Sequence, residues 1–306
     1  DNEVLVKVMA CSICGSDVSY YFGHSPLGTK DGKGPLYLGH EMSGVVAEVG
    51  KLPKEAGLFK VGDRVCGSAK HATRIVVPAR GSAHIPDGVS YEDSTFSTLG
   101  LVSMNGLRLA QPQLGEVVVV MGMGIVGQLA LQFARLTGPR LLVAVDVSNE
   151  RLAMIEGMGA DAKINPAETD AAAALKDLTN GEMADVVLDA TGSNRAFNTA
   201  LEMGGERARV VAVGSTRGLV PEVDVYTHIH CKGLIVIGAH AGTSPQHATP
   251  YNKWTRERNR LLTLQLMAEG KVNAAPMVTH RFPFDDAVQG FELLVKDRTK
   301  AVGVII

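Results

Sequence analysis

The chain has 306 residues, 45% of them apolar, with 34 glycines, 13 prolines and a formal net charge of -2. This length suits two domains, because a single hydrophobic core stops growing near this size. The nearly neutral charge provides no long-range field that would gather nucleic acid or an anionic membrane, and the apolar runs are far shorter than the roughly 20 residues of a membrane span. The composition therefore favours a globular protein that acts on a small molecule, with no nucleic acid and no membrane as partner.

The first 110 residues read as short strands and turns. Strands are predicted at residues 4–8, 44–50 and 74–78, and Gly62-Asp63 and Pro86-Asp87-Gly88 are turn signals. We expect an all-β lobe here. The alternating start of the chain lacks the basic and apolar regions of a secretory signal, and four cysteines do not make a disulfide framework in a chain this long. A cytoplasmic location is the expectation.

From about residue 115, apolar strands alternate with segments of helical period, which is typical of a parallel sheet with crossover helices. Strands are predicted at residues 116–121, 141–146, 185–190, 209–214 and 234–238, and helices at 125–136, 149–157 and 194–203. This is the pattern of a doubly wound α/β domain. After Gly238 the alternation stops, and a helix at 255–269 and a strand at 301–306 are expected to pack back on the first lobe.

A glycine-rich turn lies between the first strand and helix of this α/β region. It reads Gly122-Met123-Gly124-Ile125-Val126-Gly127. Glycines at this spacing let the backbone approach a pyrophosphate, whose charge is then met by the helix N-terminus. The next strand ends at Asp146, a carboxylate that can accept hydrogen bonds from ribose hydroxyls and repel a 2′-phosphate. The prediction is NAD, although Arg151 keeps NADP open.

A second turn, Asp189-Ala190-Thr191-Gly192-Ser193, ends another apolar strand. It would lie at the carboxyl edge of the same sheet, where ligands bind in open α/β folds. Thr191 and Gly192 are therefore candidate contacts on the nicotinamide side, with ordinary loop punctuation as the alternative.

Metal-binding side chains lie upstream, in Cys11-Ser12-Ile13-Cys14-Gly15-Ser16-Asp17 and Gly39-His40-Glu41. Cys14 and His40 are donors that suit Zn²⁺, and Glu41 can bind it directly or through water. A catalytic zinc typically keeps three protein ligands and one open position. The donors in these two motifs are therefore worth comparing with known metal-binding patterns.

These two motifs, Val61-Gly62-Asp63-Arg64-Val65 and the glycine turn follow one another in an order that resembles the medium-chain dehydrogenase/reductase superfamily, in its zinc-dependent alcohol and polyol (sorbitol-like) branch. The resemblance implies that Cys14 is a catalytic zinc ligand, that His40 and Glu41 are the next two candidates, and that Ser16 relays the substrate proton. It also implies a GroES-like domain of residues 1–110 and 244–306, a Rossmann domain of residues 111–243 between them, and a homodimer or homotetramer.

The chain departs from that family at three places. The remaining catalytic ligand falls near Thr98, which binds zinc poorly, and the relay histidine is replaced by Ser19. The structural zinc lobe is missing, because the segment from Cys66 to His71 runs almost directly into the next strand.

The predicted function is the NAD-dependent oxidation of a secondary alcohol on a polyol, cyclitol or sugar to a ketone, assisted by zinc. A metal-free reductase of the same superfamily and a nucleotide-binding sensor without catalysis are the alternatives. Substrate specificity is expected from residues 20–24, 28–34 and 238–254, with His71 and Trp254 as candidate borders of a substrate cleft.

Overall fold

The computed structural model describes residues 1–22, 37–216 and 218–306. Of the stretches expected to set specificity, the end of 20–24 (residues 23–24) and all of 28–34 lie outside these ranges. The chain forms two compact units, the first of Asp1–Thr98 with Arg260–Ile306 and the second of Leu99–Asn259. The domain limits given above stay predictions.

The first unit is built on a five-stranded antiparallel sheet. Its strands are β1 (Glu3–Cys11), β2 (Met42–Val49), β3 (Arg64–Gly67), β4 (Arg74–Pro78) and β5 (Ser82–His84). They lie in the order β4-β1-β2-β3-β5. Apolar side chains on one face, such as Val4 and Val6, are buried and form the core of the sheet. The three strands predicted before residue 110 are confirmed.

The expectation that residues 1–110 are all β is wrong. The described residues of this part also form four helices: α1 (Gly15–Tyr21), α2 (Lys51–Glu55), α3 (Tyr91–Thr95) and α4 (Ser97–Ala110). In α4 the buried residues Leu101, Met104, Leu107 and Ala110 recur every third position, which is a helical period. Two glycines within this stretch weaken the helical signal in the sequence.

The second unit contains a six-stranded parallel sheet and its crossover helices. The strands are β6 (Val117–Met121), β7 (Leu141–Val145), β8 (Ala162–Ile164), β9 (Ala184–Asp189), β10 (Gly204–Ala212) and β11 (Ile235–Gly238). The helices are α5 (Ile125–Arg135), α6 (Asn149–Met154), α7 (Ala171–Leu178) and α8 (Asn194–Met203). A π-helical turn covers Val225–Cys231. The predicted elements of this region are confirmed, whereas β8 and α7 are additional.

The strand order of this sheet is β11-β10-β9-β6-β7-β8. Strand β6 is fully buried, because a central parallel strand has both faces covered. Its neighbours are β7 on one side and β9 on the other. The connection after β6 leads to β7, whereas the connection after β9 leads to β10, so the two connections run toward opposite edges of the sheet. Ligands of doubly wound sheets bind at this kind of switch point.

The C-terminal segment adds the last elements, α9 (Arg256–Ala268), β12 (Val278–Arg281), α10 (Ala287–Lys296) and β13 (Gly303–Ile305). Backbone hydrogen bonds join residues near β13 to the end of β1: Cys11 N donates to Ile306 O at 2.8 Å and Ile13 N donates to Val304 O at 2.9 Å. The predicted return of the tail to the first lobe is confirmed. In the described part of the chain, no helix has the length and apolar character needed to cross a membrane.

Candidate metal centre and nucleotide site

The sheet of the first unit brings the predicted metal-binding residues together. In the pairing of β1 with β2, Cys11 lies opposite Met42. Residues that follow β1 therefore lie beside residues that precede β2. The donor atoms of Cys14, His40 and Glu41 all lie within 4.8 Å of one another, and we call these three residues the donor cluster.

Asp17 holds the parts of this cluster in place. It is 2% exposed, and its Oδ1 lies 3.3 Å from His40 Nδ1 and accepts a hydrogen bond from Gly39 N at 3.0 Å. Its Oδ2 accepts a hydrogen bond from Cys14 N at 3.2 Å. One carboxylate thus ties together both loops that carry the donors and orients the His40 ring. Sequence reasoning missed this role, although a metal-binding histidine usually donates its second N–H to a carboxylate or carbonyl.

The ionisation of the cluster follows from burial and hydrogen bonding. Burial alone would lower the pKa of His40, but its hydrogen bonds to Asp17, Cys14 and Glu41 outweigh this and raise the pKa well above its usual 6.5. Burial raises the pKa of the Cys14 thiol above 9.0, and hydrogen bonds from His40 and Ser16 offset this only in part. Burial would also raise the pKa of Asp17, but the neighbouring His40 and His71 hold it below its usual 3.8. A proton on His40 therefore compensates the acidic groups when no cation does so.

Glu41 is fully buried, and its two carboxylate oxygens have different surroundings. Oε2 accepts a hydrogen bond from the Ser12 hydroxyl. Oε1 lies 3.3 Å from His40 Nε2 and accepts no hydrogen bond from any other described residue. A buried carboxylate needs a compensating positive charge, which either a proton on the His40 ring or a bound cation supplies. The donor set of thiolate, imidazole and carboxylate fits zinc.

The remaining residues singled out in the first unit are placed as follows. Ser16 is partly exposed and hydrogen-bonds the Cys14 sulfur. Ser19 donates to Gly15 O at 3.1 Å. Thr98 is 6% exposed, and its hydroxyl has no hydrogen-bond partner in the part of the chain that the structure describes. The His71 side chain is 9% exposed with Nε2 3.6 Å from Asp17 Oδ2, so it lies beside the donor cluster.

The glycine turn of the second unit needs its glycines for steric reasons. Gly122 has φ +87°, a conformation that other residues rarely adopt. A Cβ on Gly127 would lie 1.6 Å from Gly122 O, so only glycine allows the turn to close. Gly124 is the N-cap of α5, whose first turn begins with Ile125 and Val126, and a Cβ on Gly124 would meet no atom within 4 Å. The open space at Gly124 leaves room for a phosphate group at the helix N-terminus.

Asp146 fixes the shape of this turn from the end of β7. It is 7% exposed; its Oδ2 accepts a hydrogen bond from Met123 N at 2.6 Å and its Oδ1 accepts one from Ser148 N at 2.8 Å. Arg151 Nη1 lies 3.8 Å from Asp146 Oδ2. The predicted acidic residue and the predicted glycine turn are thus in direct contact.

The second predicted turn adjoins the first at the switch point. Ala190 N donates to Met121 O at 2.9 Å, and a Cβ on Gly122 would lie 2.8 Å from the Cα of Thr191. Thr191 donates both its N–H and its hydroxyl to Asp189 Oδ1, at 2.9 and 2.6 Å. Gly192 follows with φ +65°. Asp189 is fully buried, and burial raises its pKa; sequence reasoning gave it no role.

A parallel sheet with a glycine turn at its switch point and a separate β unit with a thiolate, imidazole and carboxylate cluster define the class of nucleotide-dependent, metal-assisted oxidoreductases. Residues 126–256 match the family described as zinc-binding dehydrogenase, and residues 1–87 match the alcohol dehydrogenase GroES-like domain.

Individual relatives agree with these matches. The chain is 29% identical to an L-threonine 3-dehydrogenase from Anaeromyxobacter sp. (strain Fw109-5), covering 96% of this chain and 88% of that protein. It is 27% identical to the D-arabitol-phosphate dehydrogenase of Enterococcus avium, covering 96% and 89%. The crystal structure of 2R,3R-butanediol dehydrogenase from Bacillus subtilis is 25% identical and superposes with a TM-score of 0.81, covering 99% of this chain and 92% of that one.

The chain therefore belongs to the medium-chain dehydrogenase/reductase superfamily, in its zinc-dependent alcohol dehydrogenase branch. It is an oxidoreductase of the alcohol and polyol type, in a family whose members are described as zinc-binding dehydrogenases. The predicted family, the GroES-like and Rossmann fold and the enzyme class are confirmed.

Proposed function

We propose that this enzyme oxidises a secondary alcohol, on a polyol, cyclitol or sugar, to a ketone with NAD, at a zinc ion held by Cys14, His40 and Glu41. The observation that supports it most is the donor cluster, whose three ligand atoms lie within 4.8 Å of one another. The buried Oε1 of Glu41 lies 3.3 Å from His40 Nε2 and accepts no hydrogen bond from any other described residue, so a cation could take the place of the ring proton there. A metal-free reductase would have no chemical use for all three donors together.

The chemistry divides between the bound groups and the protein. When bound, zinc supplies a Lewis acid for the alcohol oxygen, and NAD accepts the hydride from the carbon that bears it. Ser16, which is partly exposed and touches the Cys14 sulfur, would take the hydroxyl proton and pass it to solvent. Asp17 keeps His40 Nδ1 occupied, so that Nε2 is left for the metal.

The preference for NAD over NADP is proposed from Asp146. Its carboxylate lies at the end of β7, against the glycine turn, where a 2′-phosphate would bring a second negative charge close to it. Arg151, 3.8 Å away, is the residue that could offset this repulsion. We therefore expect a higher kcat/KM with NAD than with NADP. We expect Asp146→Ala to reduce the ratio of these two kcat/KM values.

The substrate class is proposed from the relatives. Threonine, arabitol phosphate and butanediol, the compounds in the names of the three proteins compared above, each carry a secondary hydroxyl. A panel of such alcohols, with NADH formation as the readout, is the direct way to find the substrate of this enzyme.

A homodimer or homotetramer is proposed from the edge of the second unit's sheet. Strand β11 lies at one edge of this sheet, and its residues Ile235 and Val236 are 52% and 44% exposed. An exposed apolar edge strand is a template for pairing with a second chain. Light scattering of the purified protein measures the oligomeric state.

The test of the metal-assisted reaction combines metal content with turnover. We expect about one zinc per chain by elemental analysis, and we expect Cys14→Ala and His40→Ala to lose both zinc and NADH formation while they retain NADH binding. Cys231→Ala is the matched control, because it removes an exposed thiol of the second unit. Turnover that survives in both cluster variants, or in protein stripped of metal, would contradict the proposal and favour a metal-free reductase.

A further inference from the structure

We propose that Ser12 is a positioning residue that ties up one oxygen of Glu41 and thereby reserves the other for the metal. This inference rests on the zinc site proposed above. Neither the metal-ligand motif nor the family matches assign any role to Ser12.

The geometry is specific to this pair. Ser12 and Glu41 are both fully buried, and Ser12 N donates a hydrogen bond to the main-chain oxygen of Glu41 at 3.2 Å. The Ser12 hydroxyl donates to Glu41 Oε2. Ser12 also forms a β-bridge with Ile305, so its backbone is held from both sides. The hydroxyl is therefore a fixed donor.

The second carboxylate oxygen of Glu41, Oε1, takes no part in the hydrogen bond to Ser12. Oε1 faces the donor cluster: it lies 3.3 Å from His40 Nε2 and accepts no hydrogen bond from any other described residue. Rotation of the carboxylate would break the hydrogen bond to Ser12 at a fully buried position, which is costly. The two oxygens are thus not equivalent, and Glu41 is prepared to bind a metal through Oε1 alone.

The orientation of Glu41 matters because the donor cluster contains few strong metal ligands. Thr98 occupies the region where the family resemblance implies a further ligand, so Glu41 would carry more of the metal binding. Outer hydrogen bonds of this kind typically change metal affinity by about 10–100-fold. A carboxylate held on one side also keeps a coordination position open for the substrate oxygen.

The test compares variants that differ in the hydroxyl. Ser12→Ala removes the hydroxyl. Ser12→Thr and Ser12→Val introduce side chains of nearly the same shape, of which only threonine carries a hydroxyl. Ser43→Ala is the control, because Ser43 is equally buried and its hydroxyl donates to Tyr91 O at 2.7 Å, outside the donor cluster. Thermal unfolding of the metal-free proteins checks that all variants fold.

Two readouts distinguish positioning from simple packing. Zinc affinity is measured by competition with a chelating dye, and the visible absorption of the cobalt-substituted protein reports the coordination number. We expect Ser12→Ala to bind zinc about 10–100-fold more weakly than wild type and to show weaker cobalt bands as the second oxygen approaches the metal. Ser12→Val should behave in the same way, whereas Ser12→Thr and Ser43→Ala should resemble wild type.

Two outcomes would overturn the inference. Wild-type protein that binds zinc, with equal affinities and cobalt spectra for wild type, Ser12→Ala and the Thr/Val pair, would overturn the role of Ser12 and leave the zinc site intact. Wild-type protein that binds no zinc would overturn the metal centre and, with it, this role.

Discussion

The glycine turn and the donor cluster are assembled in opposite ways. The turn is one continuous stretch, Gly122 to Gly127, and the positions that require glycine are set by close backbone contacts, such as that of Gly127 with Gly122 O. The cluster joins Cys14 to His40 and Glu41 through the pairing of two strands, and it is crowded with ionisable groups. A local steric motif can be read almost completely from the sequence, whereas a site assembled from distant segments reveals its donors but not the residues that orient them.

The largest effect is expected at the nucleotide site, from a substitution of Gly127. In Gly127→Ala the new Cβ would lie 1.6 Å from Gly122 O, so the turn has to open; we expect a loss of about 3 kcal/mol or more in unfolding free energy, together with loss of NADH binding. Thermal unfolding and NADH fluorescence measure the two effects.

Gly124→Ala is the matched control for that change. Its Cβ meets no atom of the protein within 4 Å, so we expect near wild-type stability and weaker NADH binding only. Equal stability of the Gly127→Ala variant and wild type would contradict the steric account of the turn.

The next effect concerns the metal side. Asp17→Asn keeps the shape of the side chain but removes the charge that orients His40, so we expect zinc affinity to fall about 10–100-fold. NADH binding should be unchanged, because Asp17 belongs to the first unit. Chelator competition and NADH titration on the same preparation test both expectations, and a variant with wild-type zinc affinity would show that Asp17 only packs.

A smaller, graded effect is expected from pH. The pKa values of His40 and Cys14 are raised above 6.5 and 9.0, so both groups bind protons in the metal-free protein near neutrality. Zinc must displace these protons, and its affinity should therefore rise with pH across the window from 6.5 to 9.0, by about tenfold per unit for each proton released. Calorimetry in buffers of different ionisation enthalpy counts the protons, and a flat profile would mean that the donors are already deprotonated.

The smallest effect returns to the nucleotide side, at Asp189. Its raised pKa means that the folded protein favours the neutral acid, so this contribution to stability is complete below the usual pKa of 3.8 and is lost as the pH rises through the folded value. Asp189→Asn keeps an acceptor for Thr191 and carries no charge. We expect the variant to be more stable than wild type at pH 7, by about 1 kcal/mol or less, and the advantage to vanish near pH 4. Thermal unfolding at the two pH values measures it.

The sequence predicted most of the second unit because its strands are continuous apolar runs and its turn has strict steric needs. Strand β8 and helix α7 were not predicted, since β8 has three residues with Lys163 at its centre and α7 is short and alanine-rich. Helix α10 was not predicted either, because Gly290 interrupts its apolar face. That face packs within the first unit.

The donors Cys14, His40 and Glu41 were found because their residue types suit zinc and because their two motifs stand in the order of the resembled family. Asp17 and Ser12 were not assigned roles, because an aspartate or a serine beside a metal motif looks like any polar loop residue. Their function is visible only once their partners are known: His40 for Asp17 and Glu41 for Ser12. The outer partners of a site depend on tertiary contacts, which a single sequence does not display.

The hydrogen bonds between Cys11 and Ile306 have a consequence for the order of assembly during synthesis. The strand that braces the Cys14 loop leaves the ribosome nearly three hundred residues after that loop, when the whole second unit, Leu99–Asn259, is already made. The Rossmann sheet can therefore fold while the loop that carries Cys14 still lacks its support. Zinc would therefore be bound tightly only late in synthesis. The nascent chain would have a folded nucleotide-binding unit before its metal site is complete.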